Sequence, residues 1–278
     1  MIPLGAGPVP ADTNDFTERF ASGLRRIFAG GRESPLRVDG KLQPPASVQR
    51  LDVTLTGVEV SSGRSDPPAA FTSSDPGLLV ALTITAAPVL VRNLPVTLAA
   101  AAENVPVSWK RAADDALWLV FEKYTQGAEP ASARLDASAE VVGIERLLAA
   151  EVEARVRYAG FVLKSFSMDV RSQGVRAQGV RGLSASADVT VGKSFLSATV
   201  TVAGKATIND ALILTISEVG LSSANPIVGA LVGPVNAKLR PWNGRTIDLT
   251  RYTFAGAHLR SVVVTLDSAI RVNARFGG

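Results

Sequence analysis

The stretch TVTVAGKATINDALILTI at 199–216 alternates with the period of two that defines a β-strand, so the fold must accommodate long strands. Turn signals stand at Gly204-Lys205 and at Asn209-Asp210. A strand with one wet face alternates apolar residues with charged or strongly polar ones. Here the second set of positions is Thr, Ala and Ile, which predicts strands that are only mildly polar on both faces.

The pattern recurs along most of the chain. Strands are expected at 47–60, 78–85, 89–99, 105–109 and 117–121, and again at 133–142, 161–170, 182–191, 195–207, 211–221, 259–266 and 269–276. The turn-rich segment SSGRSDPPAAFTSSDPG at 61–77 predicts a long mobile loop, and Asp267-Ser268 predicts a tight turn between the last two strands. DDALWL at 114–119 echoes NDALIL at 209–214, as PVTLA at 95–99 echoes TVTVA at 199–203, which favours one construction used twice.

Three helical patterns interrupt the strands. Phe16, Phe20, Leu24, Ile27 and Phe28 recur at steps of three and four behind the capping residues Asp12, Thr13 and Asn14, with Gly30-Gly31 as a stop. This amphipathic helix is expected to pack on its own core; the other uses open to it are a membrane-surface helix or a lid. Ile144, Leu147, Leu148, Val152 and Val156 form a second stripe from Ile144 to Tyr158, ended by Gly160. NPIVGALVGPVNAKLRP at 225–241 is apolar nearly all round and holds Gly233-Pro234, which predicts a buried, kinked third helix. Residues 1–12, rich in Pro and Gly, read as a flexible or docked lead-in. The remainder, 13–278, reads as one domain with two related halves at about 13–130 and 131–278. Three helices cannot cover so many strands, so an α+β fold is expected in which the sheet curls upon itself around a packed core or an apolar cavity.

Composition and motifs exclude several chemistries. Hydrophobic residues make up 46% of the chain and charged ones 19%, yet no uninterrupted apolar run reaches the roughly 18–20 residues of a spanning helix. The net charge of +4 is carried mostly by scattered Arg residues, without basic runs or aromatic platforms, so nucleic acid is not an expected partner. With no Cys there is no thiolate nucleophile, and a single histidine cannot build a typical zinc site. ADVTVGKS at 187–194 has Ala187 where a phosphate loop needs its first Gly and runs on into strand, so Gly192-Lys193 is read as a hairpin turn. His258 has no G-x-S-x-G elbow to serve, and Asp114-Asp115 reads as a solvated turn. No catalysis, cofactor or metal is expected. The N-terminus lacks the basic start and apolar core of an export signal, which as written predicts a cytoplasmic protein unless a leader was removed and a start Met added; peripheral membrane contact through scattered Arg residues is a separate expectation.

The C-terminal half, roughly 138–277, resembles the LmeA-like phospholipid-binding proteins of actinobacteria, members of the tubular lipid-binding (TULIP, BPI-like) superfamily. The resemblance is carried by VGIERLLAAEVEA at 142–154, MDVRSQG at 168–174, KSFLSATVTVAGKATINDALILTISEVGLSS at 193–223 and LRSVVVTLDSAIRVNARFG at 259–277. In the N-terminal half it extends to LDVTLTGVEV at 51–60 and APVLVRNLPVTLA at 87–99; the missing export signal and the insert at 61–77 depart from the pattern. It implies a highly curved antiparallel sheet wrapped around a long helix, enclosing an apolar groove for acyl chains. The expected function is then to hold or shuttle a phospholipid or other long-chain amphiphile. The expected lining is Leu147, Leu148 and Val152 on the second helix, Leu212, Leu214 and Ile216 on a strand, and Leu231 and Val235 on the third helix. A homodimer is open to such a chain. The competing expectation is a non-enzymatic interaction protein of the same fold with a filled interior, its partner bound at the helix 13–29; a hydrolase using His258 is third.

Overall fold

Asp12 starts the first helix. Its carboxylate accepts the Asp15 N–H (2.9 Å) and its carbonyl accepts the Phe16 N–H (3.2 Å), as an N-cap does. In the computed structural model, which describes residues 1–29, 35–43, 47–60, 68–123, 131–176, 179–193, 196–254 and 257–277, this helix α1 spans Thr13–Ala29. Phe16, Phe20 and Leu24 are buried along it, with Ile27 and Phe28 packed at the margin. The Phe16 ring meets Trp109 edge-on, centroids 5.8 Å apart. The apolar face of this helix is part of a core, as its spacing predicts. The expected stop at Gly30-Gly31 lies outside the described residues.

The chain divides into two compact units. Unit 1 comprises Met1–Ser138, Arg251–Val262 and Val272–Gly278; unit 2 comprises Ala139–Thr250 and Val263–Arg271. Unit 1 holds β1 (Ile2–Ala6), β2 (Arg37–Gln43), β3 (Ser47–Thr54), β4 (Glu59–Val60), β5 (Phe71–Val91), β6 (Leu94–Ala112), β7 (Ala116–Phe121) and most of β8 (Ser132–Glu140). Its strand order runs β8-β6-β5-β3-β2, with β7 on β6 and β1 on β7. The expectation of a wholly antiparallel sheet fails here. After β3 the chain crosses over, so β5 returns parallel to it with Val48 opposite Leu79 and Val53 opposite Ile84, and β4 pairs with β5 in parallel as well.

Other expectations for this region are revised too. The predicted strands at 78–85 and 89–99 are parts of a longer hairpin that reverses at Arg92-Asn93, both at positive φ (50° and 65°), as a two-residue hairpin loop requires. Much of the supposed mobile insert is strand: Phe71 to Gly77 pair with β6, and residues 61–67 lie outside the described residues. Pro76 is tolerated there because β3 reaches β5 only from Leu79 onward, leaving an edge on that side. The lead-in is docked. β1 pairs with β7, Arg19 donates to the carbonyls of Ala6 (3.3 Å) and Pro8 (3.1 Å), and Arg111 donates to that of Gly7 (3.0 Å). Gly23 lets α1 approach β1, since a Cβ there would stand 2.1 Å from the Pro3 carbonyl oxygen.

Unit 2 opens with α2 (Val141–Tyr158), whose first N–H donates to the Ser268 carbonyl (3.1 Å) and which stops at Gly160 (φ 79°). Then come β9 (Val162–Arg176), β10 (Gly179–Lys193), β11 (Leu196–Ile208), β12 (Ile213–Ser222), α3 (Pro226–Leu239) and β13 (Arg245–Asp248). They are followed by β14 (Thr253–Phe254) in unit 1, and by β15 (Ala257–Leu266) and β16 (Ala269–Gly277), each divided between the units. Strands β9-β10-β11-β12-β13 are neighbours in that order and antiparallel throughout. The expected turn at Gly204-Lys205 is instead a register shift inside β11, opposite Glu218 at φ 56°. Asn209-Asp210 does turn the chain, with Asn209 Oδ1 accepting the N–H groups of Ala211 (3.1 Å) and Ile213 (2.9 Å). Asp114 Oδ1 likewise accepts from Ala116 (3.2 Å), so the two echoed segments share a side-chain-braced turn. Strand β10 continues through Gly192-Lys193 and places Lys193 opposite Leu196; the two residues between lie outside the described residues.

Among the described residues no helix is long and apolar enough to cross a membrane. The fold is therefore α+β and dominated by strands, with a mixed sheet in unit 1 and an antiparallel one in unit 2. Phe16→Ala is expected to cost about 3–5 kcal/mol in chemical denaturation by leaving a cavity against Trp109. Tyr158→Ala, at an exposed helix end, should leave stability unchanged.

Candidate functional site

Strand register in unit 2 sorts side chains onto two unlike faces. Leu183, Ala187, Val189 and Val191 of β10 stand opposite Ala206, Val202, Val200 and Ala198 of β11, all on one side. Strand β9 continues that side with Phe166, Met168 and Val170 opposite Val189, Ala187 and Ala185, and with Leu163 opposite Val191. On the other flank Ile216, Leu214 and Leu221 of β12 stand opposite Ala206, Ile208 and Val202, and Ile247 of β13 opposite Leu214. The reverse side pairs Ser186 with Asp169, Asp188 with Thr201, Thr190 with Thr199 and Ser184 with Lys205. The expectation of strands mildly polar on both faces is overturned. The Thr positions of TVTVAGK share a side with Asp169, Arg171, Asp188 and Lys205, which makes that side a wet one.

The apolar side lacks what normally accompanies such a face. In unit 1, Leu79 and Val105 are 0% exposed. In unit 2 none of the apolar-face side chains named above is buried, and Val202 is 36% exposed. Helix α2 packs along β9 and α3 along β12, and α2 has no buried residue. These helices leave the face incompletely covered.

The edge of the sheet is managed by asparagines. Strand β13 pairs with β12 only from Ile213 to Ile216, leaving main-chain groups beyond it without a neighbouring strand. Asn243 donates to the Val219 carbonyl (2.8 Å) and accepts the Val219 N–H (2.6 Å); Asn236 of α3 does the same with Leu221 (2.7 and 2.6 Å). Each amide imitates one residue of a paired strand and satisfies the edge. Nearby, Arg245, in register with Ile216, holds its guanidinium 4.6 Å from the Trp242 ring centre.

The predicted lining is only partly brought together. Leu214 and Ile216 lie on the apolar face. Leu212 precedes β12 rather than belonging to it, in the left-handed region (φ 57°), because the Asn209 turn consumes that residue. Leu147 and Val152 are half-buried on α2, whereas Leu148 is exposed. Among the described side chains of α3 none is buried. Val235 is 44% exposed because the adjacent Asn236 turns its own side of the helix to the β12 edge; the Leu231 side chain lies outside the described residues. The residues that prediction misses, Phe166, Met168, Val189 and Val200 among them, announce themselves by alternation in FVLKSFSMDV, ADVTVG and TVTVAG.

His258 is exposed on β15 opposite Thr253, and Asp115 is held by Arg111 at 2.8 Å. No group of three or more potential metal ligands exists among the described residues. On the wet face a shallow depression of about 270 Å³ is lined by Asp169, Arg171, Ser184, Ser186 and Glu218, with Arg171 already paired to Asp169 at 2.6 Å. Comparison with protein-family models, curated proteins and solved structures finds no match.

An open apolar face should bind an environment-sensitive apolar dye in the native state. The double variant Val189→Asp/Val200→Asp should lose most of that fluorescence, while Thr190→Asp/Thr199→Asp, on the opposite face at adjacent positions, should retain it.

Proposed function

We propose that unit 2 is a lipid-binding module that takes acyl chains of a phospholipid or similar amphiphile onto its apolar face. One observation carries this reading: a continuous face of Val, Leu, Ile, Phe and Met side chains, none of which attains the burial of an ordinary core. A large uncovered apolar surface marks an interaction site. Acyl chains suit it because they need no specific polar partner. Each CH₂ removed from water contributes about 0.8 kcal/mol, so ten contribute roughly 8 kcal/mol before the cost of ordering the ligand.

The resemblance to tubular lipid-binding proteins belongs to this proposal, with α2 as the helix around which the sheet of unit 2 would wrap. The function requires neither catalysis nor a cofactor. The filled-interior reading is favoured for unit 1, whose core around Phe16, Trp109 and Leu79 is buried.

The test is uptake of a fluorescent phospholipid from donor vesicles. Leu214→Trp and Ile216→Trp should reduce uptake several-fold by filling the face, whereas Thr215→Trp, between them and on the wet side, should not. Equal uptake by all three variants, or none by the unaltered protein, contradicts the proposal.

A further inference from the structure

Three chain segments meet at one end of unit 2. Helix α2 finishes at Tyr158, β9 starts at Val162 opposite Gly192, and β10 ends at Lys193 opposite the first residue of β11. Apolar side chains stand into solvent here: Tyr158 is 96% exposed, Val162 67% and Phe161 39%. Around them lie the exposed cations Arg155, Arg157, Lys164 and Lys193, and Lys193 Nζ sits 5.5 Å from the centre of the Phe161 ring. Lys164 occupies the register shift between the pairs Leu163↔Val191 and Ser165↔Thr190, an extra residue that bends the strand away from regular pairing. Arg157 pairs with Glu153, one helical turn back. No Asp or Glu occurs in the sequence from 154 to 168 or from 189 to 209. The opposite end, where β11 turns into β12, carries Asp210 and Asp248 instead.

We infer that the Tyr158–Val162 end of unit 2 docks onto an anionic lipid surface, with Tyr158 and Val162 entering the headgroup layer and the surrounding cations meeting lipid phosphates. The choice of occupant rests on the lipid-binding reading and on charge complementarity. A tyrosine with an apolar ring and a polar tip suits the boundary between headgroups and hydrocarbon, and neighbouring Lys and Arg are drawn to an anionic leaflet. A protein partner fits less well, because so small an apolar knot falls far short of the roughly 20–30 residues per side that a stable interface uses. Docking at this end would bring the source membrane to the edge of the apolar face, where Leu163 and Val191 begin it.

The full chain is sedimented with phosphatidylcholine vesicles, with and without phosphatidylglycerol. In parallel, binding of a monomeric short-chain phosphatidylcholine is measured by calorimetry. The unaltered protein is expected to sediment with the anionic vesicles and to be released by salt. Tyr158→Ser/Val162→Ser and Lys164→Glu/Lys193→Glu should each weaken vesicle binding roughly tenfold or more while binding the monomeric lipid normally. Tyr252→Ser, at an exposed aromatic in unit 1, should change neither. Vesicle binding by both double variants at the unaltered level, or no vesicle binding by the unaltered protein, overturns the docking inference. Absence of monomer binding alongside tip-dependent vesicle binding supports docking and overturns the apolar-face reading instead. All substituted positions are solvent-facing, and a denaturation curve confirms that each variant is folded.

Discussion

Pairing between β10 and β11 runs unbroken from Gly182↔Thr207 to Lys193↔Leu196, and the character of unit 2 depends on it. A slip of one residue in either strand would exchange that strand's faces, setting Val against Thr along its length. The register is braced from the wet side. Thr190 and Thr199 share a hydrogen bond (2.9 Å), and Thr201 donates to Asp188 (2.6 Å) across the same strand pair. Polar cross-strand contacts thus hold the apolar side chains opposite one another on the other face. At the far flank, Asn236 and Asn243 complete the main-chain bonding of β12.

Unit 1 shows what the same composition does when a helix fits the sheet. Phe16 touches both Phe20 (5.6 Å) and Trp109, and the surrounding strands contribute Val48, Leu51, Leu79 and Val105 to a core without exposure. Two of its arginines act as staples: Arg19 and Arg111 tie the first residues to α1 and β6, and the neighbouring Lys110 pairs with Glu122 at 2.7 Å. That bond to Lys110 holds the Glu122 carboxyl below its usual range. Its stabilisation is therefore present above the ordinary glutamate value and fades as pH falls through the lowered one. The contrast between the units is one of coverage. Apolar side chains are abundant in both; among the described residues, unit 1 buries its large ones and unit 2 leaves those of its sheet face partly exposed.

How much of this was legible in the sequence differs by element. Helix α1 is legible from its cap through its apolar face, since the cap and the apolar spacing agree. The hairpin at Arg92-Asn93 was missed because neither residue is Gly, and β5 was cut short because Pro76 reads as a breaker when the edge that tolerates it is invisible. Threonine was the chief source of error at the site. It is both a strand former and half-apolar, so TVTVAGK reads as mildly polar throughout until its partners Asp188, Thr190 and Ser184 show which side is wet. Simple alternation places Leu212 with Leu214 and Ile216 and cannot foresee a leucine spent in a left-handed turn. Leu214 and Ile216 stand on the apolar face because alternation resumes after that turn.

The central claim is that the apolar face of unit 2 is finished by a ligand rather than by protein. Native mass spectrometry of protein purified without detergent, with lipid analysis of its solvent extract, tests this directly. The account predicts a species heavier than the polypeptide by one two-chain lipid, which disappears on extraction and returns on incubation with vesicles. A mass equal to that of the bare chain, both as purified and after that incubation, would contradict it.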